Sequence, residues 1–326
     1  MRIFVTGATG FVGGWLVRNL LARGDSVVAL VRNHRDPILG VDHADSGCTR
    51  IEGDLEDEIA LQKGVQTCDA VVHMAAIVSF RRRDLAHMQR INADAAHALA
   101  RIAKARGIPR FVHVSTVSTI GKSKRPVVLD ETTPWPRGGL GIGYCDTKRL
   151  GEVFVLGECA SGFDVVVVNP SSMFGPGDRR KGKGSLVDRV ARGKVPFCPP
   201  GGSCFADVRD VARGIEAALD RGRAGERYIL GGENLRGHEL LAKIAAATNA
   251  IAPRRTMPDA CLAVLQGLQR IHERIRDIHG PLTADLIALS RGYSWYSSHK
   301  AELELGYRHA PIDEALRETA AWIEAR

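Results

Sequence analysis

The sequence predicts an α/β protein built on a doubly wound parallel sheet, with a smaller, mostly helical C-terminal lobe. Short runs rich in β-branched residues alternate with helical stretches through the first half of the chain. The runs are apolar almost throughout, which is typical of strands covered by helices on both faces. The predicted strands are Arg2 to Thr6, Ser26 to Val31, Thr49 to Ile51, Asp69 to His73, Arg110 to Ser115 and Asp164 to Asn169.

Helices fit the gaps between these strands. The first is predicted from about Val12 to Arg23 and ends at Gly24, a residue suited to a left-handed C-terminal cap. Two more are predicted from Ile91 to Arg106 and from Tyr144 to Ala160.

Beyond Pro170 the alternation gives way to Gly/Pro-rich loops and amphipathic helices. We therefore expect a first domain over residues 1–170 and a mainly substrate-binding lobe over residues 171–326. The chain is expected to return to the first domain near residues 205–232, because Glu226 to Leu230 reads as a further strand.

The composition is that of an ordinary globular protein, with 326 residues of which 44% are hydrophobic and 25% charged. No apolar run approaches the roughly 18 residues that span a bilayer, and no signal-peptide pattern follows Met1, so a cytoplasmic location is expected. The net charge of +8 suits an anionic cofactor as well as nucleic acid. The basic clusters at Arg81–Arg83 and Arg179–Lys183 lack interleaved aromatic residues, and no nucleic-acid partner is predicted.

The cysteines and histidines indicate no metal site. Seven scattered cysteines include no Cys-x-x-Cys pair, so reduced thiols are expected rather than a disulfide framework or a zinc site. The eleven histidines form no recognisable ligand pattern.

A glycine-rich loop follows the first strand and opens the first helix, where the chain reads TGATGFVG. Gly7 permits a tight turn, Gly10 lets the backbone approach a pyrophosphate, and Gly13 lets helix and strand pack closely. The free N–H groups of the helix N-terminus attract the anion, so this junction predicts a dinucleotide-binding, Rossmann-type domain. The predicted phosphate-binding residues are Gly7, Thr9, Gly10, Phe11, Val12 and Gly13.

The end of the second strand bears on the choice between the two nicotinamide cofactors. A carboxylate there binds a free ribose 2′-OH, whereas an arginine accommodates a 2′-phosphate. The strand ends in Val31 and Arg32 without a carboxylate, and Arg35 is near. NADP(H) is therefore predicted, with NAD as the alternative.

A Tyr-x-x-x-Lys pair, Tyr144 and Lys148, stands at helical spacing, which puts both side chains on one face. A phenol with a pKa near 10 is a poor base at pH 7, and a close ammonium is expected to lower that pKa. A hydroxyl cluster, VHVSTVSTIG, ends the fifth strand at the edge where parallel sheets place ligands, and can polarise a substrate carbonyl.

These motifs together resemble the extended short-chain dehydrogenase/reductases, also called the NAD-dependent epimerase/dehydratase family. Within it the chain looks most like the bacterial dihydroflavonol-4-reductase-like group, which includes hopanoid-associated sugar epimerases. Plant dihydroflavonol reductases and 3β-hydroxysteroid dehydrogenases are more distant. The segments that carry the resemblance are TGATGFVG, VHVST, YCDTK, NPSSMFGPGD, FADVRDVA and KAELELGY.

The resemblance implies roles for individual residues. Aligning the glycine that ends the hydroxyl cluster makes Thr116 the catalytic hydroxyl, with Ser115 as the alternative, beside Tyr144 and Lys148 as catalytic and cofactor-binding residues. Asn92 would support the site. Contacts with adenine, the adenosine ribose and the nicotinamide are implied for Asp54, Leu55, Met74, Ala75, Ala76, Pro170 and Ser172.

The expected activity is hydride transfer between NADP(H) and a ketone or alcohol on a bulky small molecule. An NAD-dependent nucleotide-sugar epimerase or dehydratase is the first alternative, and a non-catalytic NADP-sensing protein is the second. The apolar stretch from Pro258 to Leu289 predicts core and lid of the substrate lobe, because Gln266, Arg270 and Glu273 interrupt it. The family resemblance also implies a homodimer that pairs the helices at Ile91–Arg106 and Tyr144–Ala160.

Overall fold

The computed structural model describes residues 1–179, 182, 184–276 and 283–325. Residues 180, 181 and 183 of the predicted basic cluster, and residues 277–282 of the predicted lid, lie outside the described residues. No helix within the described ranges is long and apolar enough to cross a membrane.

The strands fall into two sheets, which share no strand. In chain order they are β1 (Arg2–Thr6), β2 (Ser26–Val31), β3 (Cys48–Glu52), β4 (Ala70–His73), β5 (Arg110–Val114), β6 (Val128–Leu129), β7 (Asp164–Pro170), β8 (Ser172–Phe174), β9 (Gly202–Asp207), β10 (Arg227–Leu230), β11 (Glu233–Arg236) and β12 (Tyr293–Tyr296).

The helices follow the predicted pattern in the first half and dominate the second. They are α1 (Phe11–Ala22), α2 (Glu58–Val65), α3 (Leu85–Gln89), α4 (Ala95–Ala105), α5 (Gly143–Gly157), α6 (Leu186–Ala191), α7 (Val208–Arg221), α8 (Gly237–Ala247), α9 (Asp259–Arg276), α10 (Ala284–Ser290), α11 (His299–Leu305) and α12 (Asp313–Glu324).

The main sheet has seven parallel strands in the order β10-β7-β5-β4-β1-β2-β3, which confirms the predicted Rossmann-type fold class. Apolar residues of α1 and α7 pack on one face, and those of α2, α4 and α5 pack on the other. The strand order reverses direction between β1 and β4, and such a switch point opens a crevice at the carboxyl ends of the strands. The candidate site residues described below lie along this crevice.

The second lobe contains a small sheet as well as helices. Its strands run in the order β11-β9-β12-β6, and β8 pairs with β9. A separate apolar cluster joins α6, α8 and α12 beneath it. The C-terminal region is therefore mostly helical, as predicted, and it also contributes strands to a mixed sheet that the sequence pattern did not indicate.

Candidate active site

The glycine loop forms a tight cradle between β1 and α1. Gly7 has a φ of +78°, which favours glycine, and its carbonyl oxygen accepts the Gly10 N–H at 2.9 Å. A Cβ on Gly13 would lie 2.0 Å from that same oxygen, so only glycine allows the helix to approach. The remaining predicted loop residues, Thr9, Phe11 and Val12, are partly exposed at the rim.

The N-terminus of α1 is open to an anion. Gly10 precedes the helix, no side chain caps its first N–H groups, and its first turn carries no acidic residue. The residues therefore fit a dinucleotide diphosphate, because a helix N-terminus with free N–H groups and a close-approach loop binds phosphate.

The end of β4 forms the other wall of the crevice. The Thr6 hydroxyl accepts the N–H groups of Met74 and Ala75, each at 3.2 Å, and a Cβ on Gly7 would lie 2.8 Å from the Ala75 nitrogen. Met74, Ala75 and Ala76 are all partly exposed. Their backbone is thus held at the switch point, as a cofactor-lining segment requires.

Arg32 lies at the mouth of an open pocket of about 530 Å³ beyond the ends of β2 and β3. Arg32 is exposed, as is Asp54, whereas Leu55 is buried below. The pocket also presents the carboxylate of Glu52, which ends β3 and pairs in register with Val31. Sequence reasoning considered a carboxylate only at the end of β2, so it did not predict that Glu52 of β3 lines this pocket.

The hydroxyls of Thr116 and Ser115 lie in different surroundings at the end of β5. Ser115 is only 7% exposed, and its hydroxyl lies 3.5 Å from that of Thr119. Thr116 is partly exposed, its hydroxyl lies 3.4 Å from that of Ser118, and it is close enough to the phenol of Tyr144 to act on the phenol pKa. Of the two candidates, Thr116 is therefore the one placed to reach a substrate.

Tyr144 and Lys148 lie one turn apart on α5 with different electrostatic surroundings. Burial raises the pKa of Tyr144 to about 12, against the lowering effect of its hydrogen bond with Thr116. Lys148 donates to the Val114 carbonyl at 3.0 Å, and burial lowers its pKa to about 8. The phenol pKa is thus raised in this structure and not lowered as expected, because desolvation is the largest cause of its shift.

A buried charged network lies behind the hydroxyl cluster. The fully buried Glu152 carboxylate accepts from Thr119 at 2.7 Å and from Asn169 at 2.9 Å. It also pairs with Arg149 at 2.6 Å and with Arg227 of β10 at 2.7 Å. Asn169 in turn donates to the Thr116 carbonyl at 3.2 Å. The network ties α5, β7 and β10 to the loop that carries Thr116, and sequence reasoning missed Glu152 and Arg227.

Asn92 lies in a π-helical stretch, Arg90–Asp94, that precedes α4. Its amide oxygen accepts the Ile77 N–H at 2.8 Å and its amide nitrogen donates to the Ile77 carbonyl at 2.9 Å. A Cβ on Gly151 would lie 2.0 Å from the Asn92 carbonyl oxygen, so α5 packs tightly here. Asn92 thus joins the loop after β4 to α5, the helix that carries Tyr144 and Lys148.

The segment after β7 reaches the same edge. Pro170 is buried and pairs in register with Leu230, whereas Ser172 is exposed at the start of β8. Among the described residues, no group of three or more His, Cys, Asp or Glu side chains is arranged to hold a metal ion.

A sequence profile described as "NAD dependent epimerase/dehydratase family" matches residues 3–231. The chain belongs to this family. It is 33% identical to a Synechocystis sp. protein provisionally named dihydroflavonol 4-reductase, over 98% of this chain and 94% of that protein. It is 30% identical to sterol demethylase protein B of Methylococcus capsulatus, over 100% of this chain and 99% of the relative.

A solved structure shares the fold of this chain. The crystal structure of gox2253 superimposes with a TM-score of 0.86 and 29% identity, covering 99% of this chain and 98% of that one. The predicted resemblance to the extended short-chain dehydrogenase/reductases is thus confirmed by the family match and the relatives, and family members use a nicotinamide cofactor as oxidoreductases, epimerases or dehydratases.

Proposed function

We propose that this family member is an NADP(H)-dependent reductase of a ketone on a bulky small molecule. The observation that carries the proposal is that two hydroxyl donors, Thr116 and Tyr144, lie together at the carboxyl edge of the sheet, where Lys148 of the same helix donates to the Val114 carbonyl at 3.0 Å. Two such donors can serve one carbonyl oxygen, where negative charge develops as hydride reaches the carbon. The reductase names of several relatives support the same reading.

The protonation states of Tyr144 and Lys148 at neutral pH suit ketone reduction. When bound, the reduced nicotinamide supplies the hydride. Tyr144, with a pKa raised to about 12, is protonated at neutral pH and donates its proton to the carbonyl oxygen that Thr116 polarises. Lys148, with a pKa of about 8, stays mostly protonated and stabilises the phenolate that proton transfer leaves.

Binding of the dinucleotide follows from the cradle. The α1 N-terminus would hold the diphosphate, Met74 to Ala76 would line the adenosine ribose, and Asp54 with Leu55 would contact adenine. Pro170 and Ser172 would close on the nicotinamide, and the lobe at residues 171–326 would supply most of the substrate pocket.

Arg32 would bind the 2′-phosphate of NADP(H), whereas the nearby carboxylate of Glu52 would repel it. An Arg32→Ala variant is expected to raise KM for NADPH at least about tenfold, the loss of one charge-assisted contact, with little effect on NADH. The matched Glu52→Gln variant should improve NADPH use instead. Equal KM values for NADPH in the parent and the Arg32 variant would overturn the cofactor assignment.

The activity itself is tested by NADPH oxidation with a panel of bulky ketones, such as dihydroflavonols, 3-ketosteroids and β-keto acids. Tyr144→Phe should lower kcat at least about 100-fold, the usual contribution of a general acid. Tyr228→Phe is the matched control, since the Tyr228 hydroxyl contacts Glu304 and the Arg223 N–H at the opposite, amino edge of the sheet, and it should retain parental turnover. NADPH binding without turnover of any ketone would favour a non-catalytic sensor.

A nucleotide-sugar epimerase or dehydratase is the second candidate, and Glu52 beside Arg32 favours it, because a carboxylate there suits the free ribose of NAD. Such an enzyme retains its cofactor through turnover. Purified protein that carries bound NAD and is inert to added NADPH would reverse the ranking.

We also propose a homodimer through the faces of α4 and α5, where Val153 is 48% exposed. Placing Val153→Lys at the centre of such a contact would put like charges opposite each other across a twofold axis. The variant should sediment as a monomer while the parent sediments as a dimer. A parent that sediments as a monomer at micromolar concentration would rule the dimer out.

A further inference from the structure

Three polar side chains form one row across the switch point of the main sheet. Thr6 of β1, His73 of β4 and His113 of β5 lie side by side in the parallel register, and all three are buried. They share the face of the sheet that Phe4 and Phe111 occupy, since side chains two residues apart along a strand point the same way. Polar groups at this depth usually have hydrogen-bond partners, so the partners of Thr6 and His73 indicate what the row does.

The hydroxyl of Thr6 uses all of its hydrogen-bonding capacity. Its oxygen accepts the N–H groups of Met74 and Ala75, each at 3.2 Å, and it lies 2.7 Å from Nδ1 of His73. A hydroxyl has two acceptor sites and one hydrogen, so with both sites taken by N–H groups its hydrogen goes to His73. Burial lowers the pKa of His73 to about 3, so the ring is neutral at neutral pH. Nδ1 is therefore the acceptor, and the proton of the ring lies on Nε2.

The N–H of Ala75 depends on this hydroxyl. The Met74 N–H is shared with the Thr6 carbonyl oxygen at 3.2 Å, whereas the Ala75 N–H bonds to the hydroxyl oxygen and, within the described part of the chain, to no other acceptor. Thr6 directly precedes Gly7 of the phosphate loop, and a Cβ on Gly7 would lie 2.8 Å from the Ala75 nitrogen. The hydroxyl thus joins the phosphate loop to the opposite wall of the crevice.

Packing by itself does not explain a histidine at position 73. The ring stacks on that of His113, with centroids 5.4 Å apart, which fixes the plane of the ring. Its Nε2 has no hydrogen-bond partner among the described residues, and a buried N–H group without a partner destabilises the folded state. An apolar side chain would fill the same space without that penalty. The property that His73 supplies here is therefore the acceptor at Nδ1.

We propose that His73 is a positioning residue for the dinucleotide and acts through Thr6. Its Nδ1 accepts the hydroxyl hydrogen and leaves both acceptor sites of the Thr6 oxygen to the backbone of Met74 and Ala75. This inference rests on the proposed function, in which that backbone lines the adenosine ribose. Without the acceptor, the Thr6 hydroxyl loses its fixed direction, and the lining segment loses its attachment to the phosphate loop.

Titration of NADPH and NADH into variants of both residues tests the proposal. His73→Phe keeps a buried ring and removes the acceptor, and Thr6→Val keeps the side-chain shape and removes the hydroxyl. Each should raise the Kd of the dinucleotide that the parent binds more tightly by about tenfold, the effect of one lost hydrogen bond. The kcat at saturating dinucleotide should stay within about twofold, because the reacting groups do not move. The double variant should bind no more weakly than either single variant, since both changes remove the same bond.

Two conservative variants separate positioning from general destabilisation. Thr6→Ser keeps the hydroxyl, and His73→Asn places an amide oxygen as far along the side chain as Nδ1, so each should bind with a Kd within about threefold of the parental value. His113→Phe is the matched control, since His113 is equally buried and stacks on His73 but forms no hydrogen bond with this segment in the described structure. It should leave the Kd unchanged.

Circular dichroism should show every variant folded, and if His73→Phe does not fold, Thr6→Val with the two conservative variants decides. Parental affinity in Thr6→Val and His73→Phe would overturn the proposal, and so would additive losses in the double variant. The same holds if His113→Phe weakens binding as much as His73→Phe does. A parent that binds neither dinucleotide refutes the proposed function and this inference together, whereas a parent that binds NADPH but reduces no ketone refutes the reductase assignment alone.

Discussion

Replacing Glu152 with glutamine removes the one negative charge from the network behind the Thr116 loop while keeping the side chain's shape. The carboxylate is fully buried and lies 2.7 Å from the guanidinium of Arg227, whose side chain is 15% exposed. Breaking a buried ion pair from one side costs about 3 kcal/mol, because the remaining charge stays desolvated. For a chain of this length we expect the unfolding midpoint to fall by roughly 5 °C.

The same substitution should move the pH profile of kcat. Burial lowers the pKa of Lys148 to about 8, and the charge of Glu152 acts in the opposite direction. Without that charge the Lys148 pKa falls further, so the ammonium is lost at a lower pH and the alkaline limb of the profile shifts to lower pH. A purely structural role would lower kcat or stability without this shift.

Differential scanning calorimetry and the pH dependence of ketone reduction measure both effects. Glu158→Gln is the matched control, because Glu158 is the C-cap residue of the same helix and pairs with His97 and Lys104 near the surface. Its loss should cost at most about 1 kcal/mol and leave the pH profile unchanged. If Glu152→Gln matches this control in both readouts, the network does not position the catalytic loop.

Three further outcomes follow from close contacts and burial. Gly13→Ala places a Cβ 2.0 Å from the Gly7 carbonyl oxygen, so dinucleotide affinity by isothermal titration should fall at least about tenfold; unchanged affinity would contradict the cradle. Gly151→Ala should lower the unfolding free energy by about 1–3 kcal/mol in urea titration, because α5 must move off the π-helical stretch; a neutral result would contradict that packing. Burial lowers the pKa of His73 to about 3 and that of His113 well below 6.5, so only the unfolded state takes up protons as pH falls below 6.5. Stability should therefore drop by up to about 1.4 kcal/mol per pH unit for each histidine, and His113→Phe should roughly halve the slope.

The main sheet could be predicted because its signals are local. β1 and β2 match the predicted ranges residue for residue, since each is a continuous apolar run closed by a turn. Gly24 ends the first helix region with a φ of +87°, as expected for a left-handed cap. The second sheet could not be predicted in the same way, because β6, β8 and β12 are two to four residues long and pair across large sequence separations.

The residues of the candidate site also divide into those that local sequence motifs predicted and those that they did not. Tyr144, Lys148 and the glycine loop lie in short motifs, and the spacing of residues within each motif determines how they are placed relative to one another. Glu152 and Arg227 are 75 residues apart in sequence, and charged residues on a helix and a strand end are usually solvated, so nothing local marks them as a buried pair. The prediction that the apolar residues Val264, Leu268 and Ile271 of α9 lie in the lobe core is wrong, since all three are exposed. Apolar periodicity identifies one face of a helix but does not say what covers it.

The arrangement of charge around the sheet edge explains why the acid and the ammonium can work together. Lys148 has neutral, buried neighbours on the sheet side, since the pKa values of His73 and His113 are lowered by burial and by the Lys148 charge itself. Among the described residues, the negative charge of Glu152 raises the Lys148 pKa, and two arginines share that charge. The Lys148 pKa is therefore held near working pH by a balance between desolvation and one shared carboxylate. Because Asn169 couples that carboxylate to the backbone of Thr116, the charge balance and the position of the proposed catalytic hydroxyl depend on the same buried group.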